Sequence, residues 1–131
     1  MEKMSSIIVT NNKYVYDKYK DSMEVEYKED FTYLQVLEYV RDKIHQGHKL
    51  LTHPLSGSVK PNETPYKTVM ISKNKGDLDN SGLIIIEEAI ATVKKFLSNK
   101  PTPDWPEIIL DDFRVIDLSL IENVIDKLGH R

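Results

Sequence analysis

The chain has 131 residues, 40% of them hydrophobic and 30% charged, with a formal net charge of −3 and no cysteine. That length and apolar content suit one domain, residues 1–131, around one core. The missing cysteine excludes disulfides, thiolate nucleophiles, iron–sulfur ligation and Cys-type zinc sites, and the interspersed Lys and Asp/Glu form no basic face for nucleic acid.

SSIIVT at residues 5–10 is a β-branched apolar run, which fits a strand buried on both faces. Asn11 and Asn12 follow as a turn or N-cap signal. KYVYDKYK, residues 13–20, predicts about two helical turns. Met23, Val25 and Tyr27 alternate with Glu24, Glu26 and Lys28, the period of a half-exposed edge strand. Asp30 is placed to cap the next helix, in which Phe31, Leu34, Leu37 and Ile44 recur near helical spacing. Gly47 suits the C′ position, where positive φ is needed.

Residues 49–52 predict an interior strand, and TVMIS, residues 68–72, another. Asn74 to Ser81 reads as a turn. Ile86, Ala89, Ile90, Val93 and Leu97 define the longest helix, stopped by Pro101 and Pro103. Trp105 to Ile116 predicts a short helix entered through Pro106. Ser119 with Glu122 reads as the capping box of a last helix, ended by Gly129. The order of elements argues for a small α/β fold: a three-layer, Rossmann-like, mostly parallel sheet of about four strands, with helices on both faces and a C-terminal helical segment. MEKMSSIIVT lacks the apolar stretch of a signal peptide, and Glu87 and Glu88 break the longest apolar run, LIIIEEAIA. A cytoplasmic protein with no membrane segment is expected.

In open parallel sheets, ligands bind beyond the carboxyl ends of the strands. Two segments are expected there, in one shared cleft: Asn11 with Asn12, and HPLSGSVKPNETPY, residues 53–66. Gly57 between Ser56 and Ser58 lets backbone N–H groups approach a ligand. The two hydroxyls can donate, Lys60 adds a positive charge, and a histidine such as His53 can exchange a proton near neutral pH. Asn62, Glu63 and Tyr66 complete the candidate surface. Such a loop suits capture of a small anion. The competing reading is a connection stiffened by Pro54, Pro61 and Pro65, since Ser-Gly-Ser is common turn chemistry. It matches neither the P-loop nor the dinucleotide glycine pattern, so no nucleotide cofactor is expected.

His45, His48 and His53 match no zinc spacing, so no metal is expected. Asp111 with Asp112, and Glu87 with Glu88, are helix neighbours that point to different faces. Trp105 reads as a packing anchor, or alternatively as part of a partner-binding patch. A small hydrolase or isomerase is the alternative to a binding protein. It would use His53 as general base, Ser56 or Ser58 as nucleophile or oxyanion donor, and Glu63 as orienter.

IIVTNN near the start, GHKLLTHPLSGSVKPNETPYKTVMIS in the middle, the DL–IIEEAI helix and the W–DF–ID–LI pattern toward the end resemble the GrdX family. Its members are small proteins encoded with the glycine, sarcosine and betaine reductase genes of amino-acid-fermenting anaerobes. The resemblance implies a cytoplasmic, anaerobic setting and an accessory or regulatory role, with a small anionic metabolite or a reductase component as partner. It carries over no catalytic residues and no cofactor. Reductases of that kind use selenol and thiol chemistry, and a chain without cysteine cannot perform that step itself. A homodimer is compatible with the sequence, which does not count subunits.

Overall fold

The computed structural model describes residues 6–57 and 59–128. Among these, four helices surround a three-stranded sheet of order β2-β1-β3. Strand β1, Ser6–Thr10, is buried along its whole length, as its unbroken apolar run requires. It pairs in parallel with β2, Glu24–Tyr27, and antiparallel with β3, Thr68–Ser72. The alternation of side chains along β1 and β3 divides the interior in two. Ile7, Val9, Val69 and Ile71 point into one cluster with helices α2, Tyr33–His45, and α3, Asn80–Asn99. Ile8 and Met70 point the other way, toward α1, Lys13–Tyr19, and α4, Glu107–Lys127.

The expected four-stranded, mostly parallel sheet is corrected to this mixed one. The 49–52 segment makes a single bridge, Leu50 to Ile71. Side chains take the N–H groups a longer ladder would use. The Asp79 carboxylate accepts from the Leu50 amide at 2.9 Å, the Ser72 hydroxyl from Lys49 at 2.7 Å, and the Thr52 hydroxyl from Met70 at 3.0 Å. Strand β3 lies between β1 and this bridge, so the first strand and the 49–52 segment are not neighbours. One parallel pair and one antiparallel pair do not establish a Rossmann-like order.

Helix boundaries depart from the sequence reading at three places. Thr32, not Asp30, caps α2: its hydroxyl accepts from the Gln35 amide while the Gln35 side chain accepts from the Thr32 amide. Asn12 caps α1 as read. The two C-terminal helices are one, since no Gly or Pro interrupts residues 107–127 and one continuous face buries Asp117, Ile121 and Ile125. Ser119 is an exposed mid-helix residue and forms no capping box. Gly47 has φ +109°, and a Cβ there would lie 2.6 Å from the Gly76 carbonyl oxygen, so only glycine fits. The readings on Ser5, Ser58 and Gly129 fall outside the described residues.

Candidate functional site

Parallel pairing brings the carboxyl ends of β1 and β2, Thr10 and Tyr27, to one edge of the sheet. Because β3 runs the opposite way, its beginning arrives at the same edge, with Thr68 opposite Thr10. Tyr66 and Lys67 are therefore delivered beside Asn11. The Asn11 side chain locks them there. It donates to the carbonyls of Phe31 at 2.9 Å and Pro65 at 2.8 Å and accepts from the Lys67 amide at 2.9 Å.

An open cleft of about 470 Å³ lies at this edge. Asn11, Lys13, Tyr14, Tyr27, Glu29, Asp30, Tyr66, Glu107 and Arg114 line it, so two positive side chains share the cleft with three carboxylates. Arg114, on α4, stacks its guanidinium against the rings of Tyr66 at 5.2 Å and Tyr14 at 5.8 Å. Two of its donors engage Glu107, at 2.6 and 3.3 Å. That hydrogen bonding raises the Arg114 pKa and lowers that of Glu107. Its Nη1 also lies 3.9 Å from an Asp111 carboxylate oxygen, and the Arg114 side chain is 17% exposed. Tyr14 donates to the Asp111 carboxylate, which holds its phenol above the usual range. Burial raises the Tyr27 phenol, and Tyr27 stacks on Tyr16 at 4.8 Å.

A second, smaller site lies beneath the 53–66 segment. Thr10, Asn12, Lys67, Thr68 and Asp117 are all buried there. The Asp117 carboxylate accepts at Oδ2 from Asn12 Nδ2 at 3.0 Å and from the Thr68 hydroxyl at 2.7 Å. Thr68, having donated, accepts from Thr10 at 2.7 Å, and Thr10 accepts from the Asn12 amide at 3.0 Å. The ring of bonds is closed, and it holds one carboxylate in one orientation. Burial raises the Asp117 pKa against those donors and lowers that of Lys67 against the pull of Asp117.

The sequence-derived candidates separate in the folded chain. Asn11 lines the open cleft, yet its side-chain groups are already engaged. Asn12 is fully buried, its Oδ1 bonded to the Tyr14 amide and its Nδ2 shared between Asp117 and the Arg114 carbonyl. Asn62 donates to the Phe96 and Lys100 carbonyls at the end of α3. Glu63 is exposed, and its carbonyl accepts from the Trp105 indole at 2.7 Å. Trp105 also packs its ring on Phe113 at 5.8 Å, which is the anchoring role read for it. Lys60 and His53 are exposed. Gly57 has φ +103° and lies against Leu120, which a Cβ would meet at 2.7 Å. Ser56 lines the smaller site, and Tyr66 alone of these residues lines both spaces.

His53 Nδ1 accepts from the Leu55 amide at 3.0 Å, a local turn contact. No hydrogen bond among the described residues joins its ring to Ser56 or Glu63, so no base–nucleophile pair is formed there. Nor does any group of three or more His, Cys, Asp or Glu among them suit a metal ion. Sequence reasoning passed over Lys67, Asp117 and Arg114. The spacing of Arg114 and Asp117, three apart on one helix, was the available signal. Their common end point with Lys67 was not, because it depends on α4 crossing the start of β3.

The chain matches the GrdX-like protein family over residues 7–126. It belongs to that family. No curated protein and no solved structure matches it. Among the described residues no helix of this GrdX-like chain is long and apolar enough to cross a membrane.

Proposed function

We propose that this GrdX-like chain is a non-catalytic accessory or regulatory protein of a glycine, sarcosine or betaine reductase system, acting in the cytoplasm, and that it senses a small carboxylate metabolite. Arg114 in the open cleft carries the reading. A guanidinium held by Glu107 and by two tyrosine rings is a pre-oriented fork for a carboxylate. Lys13 adds a second positive charge on the same cleft. Glu29 and Asp30, which line the same cleft, favour a carboxylate that also bears an amine, such as glycine, over a polyanion such as acetyl phosphate. Among the described residues of the 53–66 segment, Tyr66 is the one that lines this cleft.

An accessory role accords with the absence of cysteine, since the chain has no thiol for the reductive step. A thermal-shift and calorimetric titration with glycine, sarcosine, betaine and acetyl phosphate tests it. At ~100 times its dissociation constant, a ligand adds about 2.7 kcal/mol of stability. Arg114→Gln should abolish the shift while the protein stays folded. A melt unmoved by every compound, or a shift equal in Arg114→Gln, overturns the reading.

A further inference from the structure

The carboxylate reading accounts for one half of the open cleft and assigns nothing to the other. Arg114 is matched within the wall, by Glu107 at 2.6 Å and Asp111 at 3.9 Å. Among the remaining charged groups that line the cleft, Lys13 stands against both Glu29 and Asp30. The cleft is therefore short of positive charge. Glu29 and Asp30 are exposed, and Tyr14, Tyr27 and Tyr66 supply an aromatic wall beside them.

Arg114 already lies against the Tyr14 and Tyr66 rings. Tyr27 is placed differently. Tyr16 stacks on one of its faces, with the ring planes 12° apart. Among the described residues no lysine or arginine lies over the Tyr27 ring. Its phenol stands between the two signs of charge: burial raises its pKa most, Glu29 and Asp17 raise it further, and Arg114 lowers it. We propose that the cleft takes a zwitterion whose carboxylate meets Arg114 and whose other end is a quaternary ammonium, seated on Tyr27 and facing Glu29 and Asp30. This rests on the carboxylate reading of Arg114 and specifies the cationic half of the same ligand.

The preference for a quaternary head follows from the surroundings. A primary ammonium needs acceptors for its N–H groups at hydrogen-bond distance. Exposed carboxylates such as Glu29 and Asp30 offer it little more than water does. A trimethylated nitrogen has no N–H to satisfy. Its charge is spread over the methyl groups, which are attracted to an aromatic face and leave water as they reach it. Nearby carboxylates add to that attraction without direct contact. The cleft, about 470 Å³, has room for such a head, whereas glycine leaves most of that space to water.

Calorimetric titration of the protein with two quaternary zwitterions, betaine and 4-(trimethylammonio)butanoate, tests this. Each is paired with the isostere that has carbon in place of nitrogen, 3,3-dimethylbutanoate or 5,5-dimethylhexanoate. Shape and carboxylate match within a pair, so the ratio of affinities reads the positive charge. The better-fitting zwitterion is expected to bind about tenfold more tightly than its isostere and than glycine. Tyr27→Leu should bring that ratio close to one, and Tyr27→Phe, which keeps the ring, should preserve it. Glu29→Gln, at an exposed position, should lower it about twofold. Zwitterions that bind no more tightly than their isosteres, or a ratio unchanged in Tyr27→Leu, overturn the inference. The carboxylate reading survives that result if Arg114→Gln still abolishes binding of the isosteres. Choline binding that requires Tyr27, with neither isostere bound, supports the cationic seat and overturns the carboxylate reading. Binding by none of these compounds overturns both.

Discussion

The two segments that the sequence puts forward as a site, Asn11 with Asn12 and residues 53–66, have opposite fates. The asparagine pair is buried and every side-chain polar atom of it is bonded. The longer segment exposes His53, Ser56, Lys60 and Glu63, while Pro54, Pro61 and Thr64 are buried and Leu55 packs against the core. Polar residues that look equally available in a sequence therefore divide by how many partners surround them. Asn11 and Asn12 serve as joints between β1, β3 and α4. The 53–66 segment is a strap whose anchors are Gly57 on Leu120, Asn62 on the end of α3 and Glu63 under Trp105.

The largest expected effect is at the joint. Asn12→Ala removes the α1 cap and a donor to a buried carboxylate, which together should cost about 3 kcal/mol in urea unfolding. A loss under 1 kcal/mol would mean that the joint is dispensable. Next come the strap anchors. Gly57→Ala forces a side chain into the left-handed region and against Leu120, and should cost about 1–3 kcal/mol. Asn62→Ala should cost about 1 kcal/mol by removing the donor to the Lys100 carbonyl and one of the two donors to the Phe96 carbonyl. An unchanged unfolding midpoint in both would show the strap to be free of the body. At the small end, His53→Ala and Lys60→Ala should each stay within about 0.5 kcal/mol, as exposed substitutions do, and should leave any ligand shift at the Arg114 cleft intact.

Stability against pH sharpens the contrast, because two buried ionisable groups, Lys67 and Asp117, lie at the joint. The folded pKa of Lys67 is lowered, so between that value and its unfolded value the unfolded chain binds more protons. The contribution of Lys67 should rise with pH across that alkaline window, against the tyrosines whose folded pKa is raised, such as Tyr33 and Tyr39. The folded pKa of Asp117 is raised, so the folded chain binds more protons above the unfolded carboxylate value. This group's contribution should fall as pH climbs through that acidic window. Unfolding titrations of Lys67→Met should lose the alkaline rise and those of Asp117→Asn the acidic fall, while Lys60→Ala keeps both. A native profile flat in both windows would remove the case for two strained charges.

Local chemistry was legible wherever the nearest neighbours in sequence decide it. SIIVT declared a doubly buried strand, Asn12 a cap, Gly47 a positive-φ stop, and Ile86, Ala89, Ile90 and Val93 a helix face. These features depend on steric and hydrogen-bonding preferences within a few residues. The Ser119–Glu122 pattern misled because a capping box has force only where a helix must begin. The burial of Asp117, Ile121 and Ile125 on one stripe made a beginning there costlier than continuing.

The sequence alone determined the α/β class, the family, the helix faces and the want of a thiol, because each follows from residue identity or short-range periodicity. Only the tertiary structure decided that β3 enters between β1 and the Leu50 bridge, and that Lys67, Asp117 and Arg114 arrive at one edge of the sheet. Those outcomes depend on strand direction and on where a helix crosses a strand. Both are set by competition among whole-chain packings, a free-energy difference that no short stretch of residues contains.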